Sequence, residues 1–175
     1  MFNELVEAVR FLTVLPLPLY GKKKSSQALA RAAFFFPLVG ALIGGISIAF
    51  FWAAQSVFPP SVAVLVLLGA PILLSGGLHL DGFADFCDGF SSARERSEIL
   101  RIMKDPRIGA LGAAGVTLIL LIKFQLLQVL APQKEGIFLL SLVASRWAQV
   151  VLSFFLPYAG SENGIGQLVA GKVGI

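Results

Sequence analysis

Apolar residues run through this chain in blocks long enough to cross a bilayer, and polar residues gather in the gaps between them. The first block is short and helical in period. Phe2, Leu5, Val6, Val9 and Leu12 share one face, opposite Asn3, Glu4, Glu7 and Arg10. This spacing predicts an amphipathic helix from Phe2 to Thr13, lying in the interface or packed on a bundle, with Pro16 and Pro18 ending it. The segment opens on acids rather than bases, so it is not expected to be cleaved as a signal peptide. Lys22, Lys23, Lys24 and Arg31 form a basic connector. Four long apolar runs follow: Ala33 to Val57, Val62 to Leu78, Ala110 to Leu130 and Ile137 to Tyr158. Each is long enough to span, and Pro71 is expected to kink the second. Gly40 and Gly44 give the first span a stripe suited to close helix packing in lipid. The Gly-rich tail from Ala159 is polar enough to leave the bilayer. The pattern predicts an all-α, polytopic transmembrane helix bundle of about four spans plus the N-terminal helix, in one integral-membrane domain over 1–175.

Composition sharpens this. Of 175 residues, 57% are hydrophobic and 14% charged, well below the quarter or so of a typical soluble domain. The net charge of +4 comes without a basic patch of the size nucleic-acid binding needs, so no nucleic-acid partner is expected. One cysteine, Cys87, rules out an internal disulfide framework. The bases concentrate in two places, the connector before the first span and the loop from Ser91 to Arg107, with Lys134 alone on the other side. Those two lie on the same side when two spans separate them, and the positive-inside rule puts that side in the cytoplasm. A multi-pass protein of the cell (inner) membrane follows, in contact with lipid.

The chemistry gathers just after the second apolar run. Asp81, Asp85 and Asp88 are spaced i, i+4, i+7, which on a helix places them within roughly a 60° arc. Clustered carboxylates beside hydrocarbon repel one another, and a divalent cation is the simplest neutralising partner. Gly82 and Gly89 would let a phosphate-bearing ligand approach the backbone. A solvated helix start, with Asp81 as N-cap, accommodates one such acid more easily than three. Arg146 sits near the middle of the fourth span and Lys123 nearer the end of the third. Intramembrane cations are costly unless paired or wetted. Arg107 stands at the mouth of the third span, where it could hold a phosphate. For His79 a structural hydrogen bond is the more ordinary role, a proton relay the sharper one.

The stretch Gly76-Gly-Leu-His-Leu-Asp-Gly-Phe-Ala-Asp-Phe-Cys-Asp-Gly89 resembles the signature of the cobalamin synthase family, the adenosylcobinamide-GDP ribazoletransferases. Further matches lie at 11–18, 36–40, 103–109, Ser145-Arg146 and Gly171-Lys172. The resemblance implies transfer of α-ribazole, or its 5′-phosphate, to adenosylcobinamide-GDP, with GMP leaving and Mg²⁺ required. It also implies that members continue past this point with further membrane helices. Mg²⁺ takes one or two carboxylates plus substrate phosphates. That suits Asp81 and Asp85 as ligands, with Asp88 as third ligand or general base and Asp85 and Asp88 as the catalytic pair. Arg107, Arg146, His79, Gly82 and Gly89 are then substrate-binding candidates, and a homo-oligomer is compatible with the sequence. A divalent-cation transporter or channel, with the Asp cluster as its ion site, is the competing reading.

Overall fold

The computed structural model describes residues 1–17, 26–92, 95–130 and 135–159, and every regular element among them is helical. In chain order these are α1 (Phe2–Leu12), α2 (Ser26–Ala32), a 3-10 turn (Ala33–Phe35), α3 (Phe36–Gln55), α4 (Pro60–Leu74), α5 (Leu78–Ser92), α6 (Arg96–Ile102), α7 (Ala110–Leu130) and α8 (Glu135–Phe155). Among the described residues, three continuous stretches are long and apolar enough to cross a membrane: Leu29–Gln55, Ala110–Leu130 and Glu135–Phe155. The pair α4 and α5 makes a fourth when its two limbs are counted as one broken span. The first span begins earlier than the apolar run suggests, because α2 continues through the 3-10 turn into α3. Arg31 is therefore helical. Pro37 falls at the start of α3, where a proline costs no hydrogen bond. Lys22 to Lys24, Arg94, Lys134 and the tail from 160 lie outside the described residues.

Helix α3 is the centre of the bundle, with α4 on one side and α8 on the other. Its glycines set the α8 contact. A Cβ on Gly40 would stand 2.7 Å from the Leu142 carbonyl oxygen, and one on Gly44 would stand 2.6 Å from Leu139 Cδ1. In lipid such close approach, rather than exclusion of water, is what holds helices together. One apolar cluster joins α1 to the start of α3 through Ala8, Val9, Leu12, Phe36, Val39 and Ile43. The Phe11 and Phe36 rings stack at 5.7 Å. The N-terminal helix is thus packed on the bundle. It ends at Leu12, before either proline, because Thr13 turns extended and its hydroxyl donates to the Val9 carbonyl. The next residue, Val14, donates its N–H to the Leu74 carbonyl, pinning this segment to the end of α4.

The second apolar run is where the structure departs most from expectation. Its axis turns by 88° between α4 and α5. Pro71 is accommodated inside α4, and the turn is made after it, at Gly76 and Gly77. Gly76 N–H donates to Leu73 and Gly77 N–H to Ile72, the paired bonds of a Schellman cap. Both glycines have positive φ, 61° and 73°, which side chains other than glycine adopt at a cost. The Gly77 carbonyl then accepts from Leu80 and Asp81, starting α5 at once. The acidic stretch therefore rides on a helix lying across the end of α4 instead of continuing along it.

Candidate active site

The bend displays α5 and α7 holds it. Asp88 is buried, and its carboxylate accepts from Gly109 N–H at 2.8 Å and from Gly112 N–H at 2.7 Å. Those donors open α7, where backbone N–H groups have no partner within their own helix and the dipole favours negative charge. A Cβ on either glycine would collide with the Asp88 carboxylate, so α5 and α7 meet only because these positions are bare. One turn on, Gly115 admits the Cys87 side chain, whose sulfur lies 2.6 Å from where a Cβ would be. Sequence reasoning passed over Gly109, Gly112 and Gly115 as partners of the acidic helix. Their three-residue spacing at the head of a span was the available signal.

The expected three carboxylates do not stand together in this structure. Both Asp88 oxygens are engaged by α7, and among the described residues no three of His, Cys, Asp and Glu stand together to hold a metal. The geometric cause is simple. Asp88 lies two turns beyond Asp81, where α5 meets the start of α7. Asp81 is exposed, Asp85 half-buried, and neither carboxylate has a hydrogen-bond or ion-pair partner among the described residues. They sit one turn apart, with Cβ atoms about 5–6 Å from each other. Two free carboxylates at that spacing fit Mg²⁺, which keeps waters and substrate phosphates for its other positions.

Two cavities flank the bend. An open cleft of about 730 Å³ is walled by Phe11, Val14, Gly76, Leu80, Asp81 and Ile108, among others. On the opposite side an apolar cavity of about 490 Å³ lies among α4, α5, α7 and α8, with His79, Lys123 and Arg146 in its walls. Ser75, Gly77 and Leu80 border both.

The remaining candidates are scattered. Gly82 is open, with nothing within 4 Å of a built Cβ. Gly89 is not: Met103 Cγ and Ile99 Cγ2 lie 3.0 and 3.2 Å from its Cβ position, so its bare backbone seats α6 and is not open to a ligand. Arg107 is 85% exposed and spends its guanidinium on Asp105, donating from Nε at 2.9 Å and Nη2 at 2.8 Å. Those bonds hold the Asp105 carboxyl down at about 2. Arg146 is 6% exposed, with its stem against Gly40 and its Nε without a partner. His79 meets Gln149 at 2.9 Å, a partner that sequence reasoning did not find. With the amide as placed, Gln149 Nε2 donates to His79 Nε2, which puts the ring proton on Nδ1, a buried atom without an acceptor. Each buried unsatisfied donor costs about 1–3 kcal/mol.

Residues 4–175 match the family described as CobS, cobalamin-5-phosphate synthase. Similar proteins include the adenosylcobinamide-GDP ribazoletransferase of Chlorobaculum parvum, 42% identical over 166 residues covering 94% of this chain and 63% of that protein. The protein of the same name from Chlorobaculum tepidum is 41% identical over the same shares of each chain. That of Desulforamulus reducens is 38% identical over 175 residues, 98% of this chain and 70% of its own length. The chain thus spans 63% of the length of the first two relatives. No solved structure matches it.

Proposed function

The chain belongs to the cobalamin-5-phosphate synthase family, and from that premise we propose that it acts in transferring α-ribazole or its 5′-phosphate to adenosylcobinamide-GDP with release of GMP. The single observation that carries this reading is the pair Asp81 and Asp85, two unpartnered carboxylates one turn apart on α5, with Asp81 in the wall of the open cleft. In this reading a ribose hydroxyl attacks the phosphorus next to cobinamide, its bond to the GMP oxygen breaks, and GMP leaves with the negative charge. Reactions of this kind need positioning and charge neutralisation more than covalent help from the protein. Asp81 and Asp85 would hold Mg²⁺, which supplies that neutralisation at the phosphates when bound. Asp85 also stands as the general-base candidate, since it is the less exposed of the two free acids. Asp88 sets the height and tilt of α5 against α7, and so positions the other two. Gly82, open and one residue from Asp81, leaves room for the diphosphate to lie against α5.

Membrane lipid surrounds α7 and α8, whose outward faces are almost wholly apolar and exposed. The basic loop that carries α6 directs the cleft toward the cytoplasm by the positive-inside rule. A channel reading has less to stand on, because with Asp88 committed to α7 only two acids remain for an ion.

The reaction test is direct. The purified chain is mixed with both substrates and Mg²⁺, and GMP is followed by chromatography. GMP should appear only when all three are present and should vanish with Asp85→Asn. Both substrates bound without GMP would contradict the reading.

A further inference from the structure

Helix α5 carries the two free carboxylates, so whatever fixes its rotation about its own axis fixes where they point. Its far end is set by Asp88 on the head of α7. Its near end follows directly on the Gly76-Gly77 turn, which gives little steric guidance, since a Cβ at Gly77 would meet nothing within 4 Å. One side-chain bond spans this end. His79, in the first turn of α5, meets Gln149 of α8 at 2.9 Å, across 70 positions of sequence. At 100° per residue His79 stands about 160° from Asp81, about 120° from Asp85 and about 180° from Asp88 round the helix. The cavities agree: Asp81 borders the open cleft and His79 the apolar cavity behind it. The bond to α8 is thus made on the back of α5, away from the acids. Gln149 is a firm anchor, because α8 is itself seated on α3. Gly40 and Gly44 admit Leu142 and Leu139, and the Arg146 stem, one turn before Gln149, lies against Gly40 as well.

We propose that Gln149 is a positioning residue for the carboxylate pair, acting through His79 to turn Asp81 and Asp85 away from α8. The inference rests on the reading of that pair as the metal's ligands. With the bond made, α5 is held from opposite sides, by α7 through Asp88 and by α8 through Gln149, and both acids lie between the two anchors. Without it the first turn of α5 rotates on the glycines, and a metal ion binds only the fraction of molecules in which both acids face it. The loss cannot exceed what one hydrogen bond contributes, which limits it to about tenfold.

The test uses the full chain in detergent and reads Mn²⁺ affinity from the EPR signal of the free ion, with Asp81→Asn as the variant lacking the site. Gln149→Met keeps the length of the side chain and removes its hydrogen bond. It should weaken Mn²⁺ binding about threefold to tenfold. Gln149→Glu keeps an acceptor for the other imidazole tautomer and should restore most of the affinity. His79→Phe should weaken binding by the same factor as Gln149→Met, and the double variant no further, since the two residues act as one unit. A merely structural Gln149 would lower the thermal unfolding midpoint and leave Mn²⁺ affinity alone. A second readout needs no metal. In a Cys87→Ser background, nitroxide labels at Phe86→Cys on α5 and Trp147→Cys on α8, both exposed, report the distance between the helices. Its distribution should broaden in Gln149→Met and narrow again in Gln149→Glu. If Gln149→Met does not fold, His79→Phe reads the same tie from the other side. An unchanged distribution, unchanged Mn²⁺ affinity against a parent that binds through Asp81, or additive losses in the double variant would each overturn the proposal. A broadened distribution in a chain whose parent binds no Mn²⁺ through Asp81 would uphold the tie and sink the metal assignment, so the two readings fail separately.

Discussion

Asp81 and Asp88 are the same residue type on the same helix and do opposite work. Asp88 is buried and closes the head of α7 through two backbone N–H groups. Replacing it with Asn sets an amide N–H₂ against backbone donors and removes the charge that the helix terminus favours. Thermal unfolding in detergent should report a loss of about 1–3 kcal/mol. Asp81→Asn, at an exposed position, should stay within about 0.5 kcal/mol of the parent while losing metal response. Sequence spacing could place the three carboxylates on one side of a helix. It could not say that one of them meets another helix first, because that depends on where α7 begins. Arg107 makes a similar point: a base at the mouth of a span reads as a phosphate contact, and in the structure its guanidinium donates to Asp105, two residues away. The Asp105 carboxyl, held at about 2, should titrate there by NMR and return toward the ordinary carboxylate range in Arg107→Gln. The sign follows from the lowered value. This pair contributes above the unfolded carboxyl's ordinary range near 3.9 and is lost as pH falls through about 2.

Among the elements, helix identity was legible from apolar runs and helix direction was not. The limits of α7 coincide with its apolar block, Ala110 to Leu130. The turn between α4 and α5 was hidden because Pro71 offers a more familiar cause of a kink than the Gly76-Gly77 pair just past the end of α4. The Schellman turn makes a measurable claim. Gly77→Ala, at φ 73° in open space, should cost about 1 kcal/mol or more through backbone strain alone, read by unfolding. The glycines of α3 separate packing from propensity. Gly40→Ala presses on the Leu142 carbonyl and should destabilise by about 1–3 kcal/mol. Gly45→Ala meets nothing and should be neutral or stabilise by up to about 1 kcal/mol. Equal effects at the two positions would mean that α3 and α8 do not touch at Gly40.

Over the whole molecule, the bend divides two kinds of charge. The free carboxylate of Asp81 lines an open cleft on one side, and Lys123 and Arg146 line a greasy cavity on the other, with Ser75, Gly77 and Leu80 common to both. The orientation of this arrangement can be read by labelling. In a Cys87→Ser chain carrying Arg101→Cys, an impermeant maleimide should react in inverted vesicles and not in intact cells. The central claim is that Asp81 and Asp85 hold a metal ion that the substrate's phosphates help to complete. Two carboxylates cannot fill the octahedral shell of Mg²⁺, so metal and phosphate must strengthen each other by the same factor. The most direct measurement is a calorimetric titration of Mg²⁺ or Mn²⁺ into the detergent-solubilised chain, with and without adenosylcobinamide-GDP. Coupling of about tenfold or more, roughly 1.4 kcal/mol, is expected, and it should disappear in Asp81→Asn and Asp85→Asn. Equal metal affinity in the two titrations would contradict the assignment.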